Sequence, residues 1–293
     1  MTDATILFRD ALQSVYGPLD WLPVPDGAIH RFHVPDDKAS TLNGWYVLYL
    51  DGIASGAFGS WKAGGTHTWS SREPADHREA AQICERVDQA RRQREAERQR
   101  RQLKAANLAQ CWWRHSLRAD PAHPYLIAKG VAPHGLRQRG DELLIPLYTD
   151  GHLVNLQRIG ADGSKKFLFG GRINGCYSPL GHVTADRPLC ICEGWATGAT
   201  LHQDGSYTVA AAMNAGNLKP VALALRARYP NLEIILTGDD DRMTEGNPGR
   251  TAANAAAAAC GGLVTFPEWP ADAPADLSDF NDLATWRRAH AHA

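Results

Sequence analysis

The spacing of apolar and polar residues divides the chain into four stretches of different period. Residues 1–73 alternate short apolar runs with glycine, as in NGWYVLYLDG, GAFGSWKAGG and THTWSS. Glycine and Asn-Gly punctuation between β-favouring runs predicts antiparallel hairpins, so this stretch is read as an N-terminal β-rich module. The pattern changes at Pro74. Residues 74–118 then hold no further Gly or Pro and are rich in Ala, Glu, Gln and Arg, which predicts one long basic helical linker, or two helices with a hinge. Its ends carry large apolar residues (Ile83 and Val87, then Leu103, Leu108, Trp112 and Trp113), whereas residues 91–104 hold seven Arg or Lys, two Glu and only Leu103 as a large apolar residue. The ends are expected to pack and the middle to be solvated. Residues 119–185 open on a short helix, HPYLIAKG, and continue as strands, with Asp-Gly at 150–151 and 162–163 as hairpin signals. Residues 186–293 alternate apolar runs with helical stretches: LCICEG, ATGATLHQ, YTVAAA, LKPVALALRARY, LEIILTGDDD, NPGRTAANAAAAAC, GGLVTFP. Near-continuous apolar strands separated by helices predict a parallel sheet covered on both faces. The fold class is therefore α/β in this last stretch and α+β upstream of it.

Composition narrows the picture modestly. The 293 residues suggest roughly two domains, and 44% hydrophobic with 22% charged residues describes a packed globular chain rather than a disordered one. No apolar run is long enough to span a bilayer, and MTDATILFRD lacks a basic region followed by an apolar one, so the expectation is a cytoplasmic protein with no membrane partner. Six scattered cysteines without a C-x-x-C pair argue against a zinc ribbon and against a disulfide framework. A net charge of -1 conceals an asymmetry: residues 1–180 carry 23 Lys and Arg against 19 Asp and Glu, and residues 181–293 carry 8 against 13.

That downstream acidity falls where chemistry is expected. In an open parallel sheet, ligands bind beyond the carboxyl ends of the strands. Glu193 ends one predicted strand, followed by Gly194, and Asp239, Asp240 and Asp241 end another. In an extended chain Asp239 and Asp241 point to one side and Asp240 to the other. Like charges so close repel unless a cation neutralises them, and hard oxygen ligands suit Mg²⁺ or Mn²⁺. Asp276, Asp279 and Asp282 in ADLSDFNDL follow the last predicted strand and can approach the same edge. A single Glu-Gly is ordinarily a turn and an Asp triplet is ordinarily solvated; a carboxylate after one strand and D-x-D after a later parallel strand is more specific than either.

These residues carry a family resemblance. CEGWATGATL, LTGDDDRMTEGNPGRTAANAAA and DFNDL resemble the Toprim domain of plasmid and phage DNA primases. The resemblance implies a Rossmann-like Toprim sheet over 186–293, Glu193 as the acid/base glutamate, and Asp239 and Asp241 as metal ligands. Asp279 and Asp282 are implied as further acidic groups near the metals. Thr197 departs from the replicative primases, which usually have an acidic residue there. Upstream, HPYLIAKGV, ELLIPLYTDGHLVNLQRIGADGSKKFLFGG and GCYSPLG are similar to the segment preceding Toprim in primase catalytic cores, implying that Lys129, Arg158, Lys165 and Lys166 face template and nucleotide. The resemblance thus implies a metal-dependent nucleotidyltransferase acting on single-stranded DNA and nucleoside triphosphates in plasmid or phage replication. The alternatives are a Toprim nuclease and a non-catalytic single-stranded nucleic-acid-binding adaptor. No G-x-x-x-x-G-K-[ST] phosphate loop occurs, so a helicase is expected to be a separate partner. The strand-spaced aromatics Trp45, Tyr46, Tyr49, Phe58, Trp61 and Trp69 are read first as core. The other reading is a stacking platform for single-stranded bases beside Arg31 and Lys62.

Overall fold

The structure is a computed structural model that describes residues 3–291 apart from 36 and 40. It divides into two compact units, residues 1–100 and 101–293.

The first unit opens on a helix, α1 (Ala4–Tyr16), capped by Asp3, whose carboxylate accepts from the Thr5 amide at 2.9 Å. The hairpin pattern of this stretch hid it, although Thr5, Phe8 and Leu12 are buried at helical spacing. Strands β1 (His30–Phe32), β2 (Gly44–Tyr49), β3 (Ser55–Ser60) and β4 (Gly64–Ser70) follow as an antiparallel sheet in chain order. Phe8 and Leu12 pack on one face with Phe32, Tyr46, Leu48 and Phe58. Gly56 permits that approach, since a Cβ there would stand 2.7 Å from the Phe8 ring. Trp45, Val47 and Ala57 form the other face, joined by Ala90 of the long helix α2 (His77–His115). Trp45, Tyr46 and Phe58 are therefore core, Tyr49, Trp61 and Trp69 pack against it partly buried, and the middle of α2 is not wholly solvated: Arg94 lies over the Trp45 ring at 4.1 Å. One helix covers His77–His115.

The second unit begins within α2, whose Ala105, Ala109, Trp112 and Trp113 pack against Leu144, Leu156 and Leu168; Leu103 and Leu108 stay exposed. Strands β5 (Leu117–Arg118), β6 (Arg137–Arg139), β7 (Glu142–Thr149), β8 (His152–Ile159) and β9 (Lys165–Phe167) form an antiparallel sheet in chain order, with α3 (Pro124–Lys129) inserted after β5. The β7–β8 turn places Asp150 at φ 50° and Gly151 at φ 79°, the positive values that an Asp-Gly hairpin turn requires. A second sheet collects β10 (Ser178–Leu180), β11 (Leu189–Cys192), β12 (Thr208–Ala211), β13 (Ile234–Thr237) and β14 (Leu263–Thr265) in the order β10-β12-β11-β13-β14, parallel except for β10. Helices α4 (Trp195–Gly205), α5 (Leu218–Arg228), α6 (Pro248–Cys260) and α7 (Phe280–His290) connect and flank it. Ile191, Ala210, Ile234 and Leu236 pack with α5 and α6, while Cys190, Cys192, Val209 and Ala211 face α4 and the antiparallel sheet. Both faces of the parallel sheet are covered, as its apolar strands predict. No described helix is long and apolar enough to cross a membrane.

Candidate functional site

The register of the parallel sheet builds the site. β11 and β13 are neighbours with Cys192 opposite Thr237, so the next residues, Glu193 and then Gly238-Asp239, emerge side by side at the carboxyl edge. Gly238 is required there, because a Cβ would stand 2.6 Å from both Ala253 and Phe266. The Asp triplet then divides by role. Asp240 turns away into a structural clamp: Arg250 Nε donates to it at 2.6 Å, Asn247 Nδ2 at 2.8 Å and Trp269 Nε1 at 3.2 Å. Those donors hold its carboxyl below the usual range, led by Arg250. Asp241 accepts from the Gly249 amide at 2.8 Å, which ties it to the start of α6. A side chain at Gly249 would stand 2.6 Å from the Asp239 carbonyl, so only glycine lets α6 start so close.

Asp239 is half-buried, and its Oδ1 has no hydrogen-bond partner. Burial, then the charges of Glu193, Asp279, Asp241 and Asp282, push its carboxyl up to about 8. Burial and Asp241 also raise Glu193, opposed by the Ala215 amide and Lys165. Asp279 caps α7, accepting from the Asp282 amide at 2.8 Å and from Thr197 Oγ1 at 3.1 Å. Thr197 thus supplies a donor to the cluster instead of another negative charge.

Two cations face this edge. Lys129 Nζ lies 3.4 Å from Asp282 Oδ1. Lys165 is exposed as a residue, with its ammonium 5.8 Å from the buried Tyr125 ring and within the field of Asp279, Glu193 and Asp239. Burial and the charge of Lys129 lower its affinity for a proton. Arg158 and Lys166 sit elsewhere. They are register partners on β8 and β9 together with Leu144, on the sheet face that packs against α2, where Arg158 pairs with Glu142 at 3.3 Å. Strand alternation separates adjacent lysines, so Lys165 and Lys166 cannot serve one face. Asp276 is exposed in the preceding loop.

Sequence reasoning missed Asn281, whose Nδ2 donates to the Lys129 carbonyl at 2.7 Å and to Thr200 Oγ1 at 2.9 Å, joining α3, α4 and α7. It also missed Tyr125, whose buried hydroxyl has no partner and is pushed up to about 12 by burial and Asp279. DFNDL was the only sequence signal for the first; nothing local marked the second.

The carboxylates, the orphaned Asp239 oxygen and the raised carboxyls fit a hard divalent cation. Among the described residues no three His, Cys, Asp or Glu side chains are arranged as a metal cage. Mg²⁺ does not demand one, since it keeps several waters and binds through one or two carboxylates plus substrate phosphates.

Comparison with known proteins gives a family match over the stretch that carries this edge. Residues 188–288 match a Toprim domain. The Toprim domain lies in a chain that is 35% identical over 283 residues to a DNA primase TraC of Escherichia coli, covering 89% of this chain and 26% of that protein. A second Escherichia coli DNA primase TraC is 35% identical over 276 residues, covering 88% of this chain and 19% of its own length. The chain therefore spans about a quarter of one of these curated relatives and about a fifth of the other. A fold likeness at TM-score 0.40 and 19% identity covers 57% of this chain and 88% of a chain from bacteriophage T7 lagging-strand DNA polymerase interacting with primase domains of two gp4 subunits. The Toprim edge, with Glu193, Asp239 and Asp241 on it, is the candidate active site.

Proposed function

We propose that this chain is a primase core: it joins nucleotides from nucleoside triphosphates into short primers on single-stranded DNA, in plasmid or phage replication, with Mg²⁺ or Mn²⁺. The observation that carries the reading is the β11–β13 register, which sets Glu193 beside Asp239 and its unpartnered oxygen. Similarity to the TraC primases supports it.

Asp239 and Asp241, with Glu193, would hold the cation, and Asp279 and Asp282 would add negative charge around it. When bound, the cation supplies neutralisation of triphosphate charge. Lys165 and Lys129 neutralise phosphate oxygens from the opposite side, with Lys129 leaving Asp282 as a phosphate arrives. Glu193, with its carboxyl raised, is suited to accept the proton of the attacking 3′-hydroxyl as pyrophosphate departs. Tyr125 presents its ring to the Lys165 ammonium at 5.8 Å, a contact that favours the cation. Duplex unwinding would come from a helicase outside these 293 residues, and free nucleotides as substrates fit a cytoplasmic setting.

The test is incubation with a labelled nucleotide and single-stranded circular DNA in Mg²⁺ or Mn²⁺. Labelled oligonucleotides are expected; cut circles without them would favour a Toprim nuclease, and metal-independent binding without product an adaptor. Glu193→Gln and Asp239→Asn should each lower primer synthesis at least ~100-fold, as loss of a general base or metal ligand does. Wild-type rates in either variant would refute the assignment.

A further inference from the structure

The unit formed by residues 1–100 carries a groove that the Toprim chemistry does not use. It has a volume of about 400 Å³ and lies between the β3–β4 turn and α2, lined by Trp45, Trp61, Thr66, Arg91, Arg94 and Arg98 among others. The three arginines recur at positions i, i+3 and i+7 and so share one face of the helix. Arg94 lies over Trp45 at 4.1 Å and approaches Trp61 at 5.6 Å, with one guanidinium nitrogen donating to Thr66 Oγ1 at 2.9 Å. Its Nε is nonetheless buried with no partner, and the indole nitrogen of Trp61 is in the same condition.

Two orphaned donors beneath the wall of one groove are costly, and no protein acceptor among the described residues reaches them. The lining's single acid cannot serve, because the Glu95 carboxylate is engaged by Arg98 at 2.8 Å and Gln99 at 3.0 Å. Burial and the charge of Arg98 both disfavour the charged form of Arg94, a tension that a bound anion relieves. The mouth is open: Gly64 and Gly65 turn there at φ 73° and 79°, with free space where side chains would be. From Arg91 to Arg98 the helix rises about 10 Å, a span that reaches more than one phosphate of a chain.

We propose that this groove is a binding site for a single-stranded polynucleotide, its phosphodiesters on Arg91, Arg94 and Arg98, with Arg98 leaving Glu95, and a base taking the place of Arg31, which lies over the Trp61 ring at 5.1 Å. Exposed Arg91 and Arg98 flanking the half-buried Arg94 beside an aromatic side chain provide the charge and stacking surface that sequence-tolerant single-strand binding uses. A recess of this size admits a base but not a duplex. The site needs no metal and does not depend on the primase reading.

The test uses the full chain in EDTA and the anisotropy of a labelled thymidine oligonucleotide of about 20 residues, titrated across salt concentrations. Arg91 and Arg98 are exposed, so Arg91→Gln/Arg98→Gln should leave the melting temperature unchanged. It should weaken binding about tenfold or more and make the slope of log K against log salt shallower by about 1.4, at about 0.7 per phosphate contact. Trp61→Leu should weaken binding about tenfold with the slope unchanged, as loss of one stacked base does. A uridine oligonucleotide bound more tightly than the thymidine one would assign RNA as the source of the strand; equal binding or a thymidine preference would assign DNA. Unchanged affinity and slope in the double arginine variant would overturn the proposal. So would a duplex bound as tightly as the single strand, or displacement by thymidine monophosphate as readily as by the oligonucleotide.

Discussion

Asp239→Asn separates a functional carboxylate from a structural one, because the two make opposite demands on stability. In the metal-free protein the Asp239 carboxyl stands at about 8, against 3.8 for an ordinary aspartate. A folded-state value above the unfolded one means that the folded state holds the proton more tightly. The protein is then most stable below about pH 4 as far as this group is concerned, and it loses stability as pH rises from there through about 8. At about 1.4 kcal/mol per unit, the loss by neutral pH is ~4 kcal/mol. Water reaching a half-buried group and protons shared with Glu193 roughly halve this, to ~2 kcal/mol. Asparagine keeps the shape and removes the charge. Thermal unfolding in EDTA should therefore show Asp239→Asn melting about 4–8 °C above wild type near neutral pH, for a unit of this size. Its melting temperature should also change less across about pH 5–8. Millimolar Mg²⁺ should raise the wild type and leave the variant unmoved. A variant that melts below wild type without metal, or one that responds to Mg²⁺ as wild type does, would refute the account of Asp239 as a strained, cation-seeking carboxylate.

The remaining expectations follow from side chains around it. Lys165→Ala should raise KM for nucleotide about tenfold, equivalent to ~1.4 kcal/mol of lost phosphate binding, while Lys166→Ala and Arg158→Ala should leave steady-state kinetics unchanged; the reverse ranking would displace Lys165 from the site. Asp240→Ala orphans the donors of Asn247 and Trp269 and should cost about 2–3 kcal/mol in denaturant unfolding, yet the Mg²⁺-induced rise in melting temperature should persist. Asn281→Ala removes two buried hydrogen bonds and should cost about 2 kcal/mol, read by the same unfolding experiment. Gly249→Ala should lower both stability and primer synthesis, because its Cβ would stand 2.6 Å from the Asp239 carbonyl; a stable, active variant would show that the start of α6 can shift without cost.

Much of the second unit was legible from local pattern. Continuous apolar strands between helices specified a covered parallel sheet, and Asp-Gly specified the hairpin turn at 150–151. The carboxylates Glu193 and Asp239 were legible for the same reason, since each directly follows a readable strand. Less was legible in the first unit, where the helical spacing of Thr5, Phe8 and Leu12 was short and lay beside stronger strand signals.

What the sequence determined by itself was therefore whatever depends on neighbours along the chain: period, turns and the acidity that follows two strands. Only the tertiary structure decided which charges share a site. Strand register set Glu193 against Asp239 and divided Lys165 from Lys166, while packing from other elements diverted Asp240 to Arg250 and turned Arg94 onto Trp45. Alternation along a strand is a local rule, but the face that meets an acidic edge is fixed by burial of distant apolar side chains, and no short window of sequence contains that information.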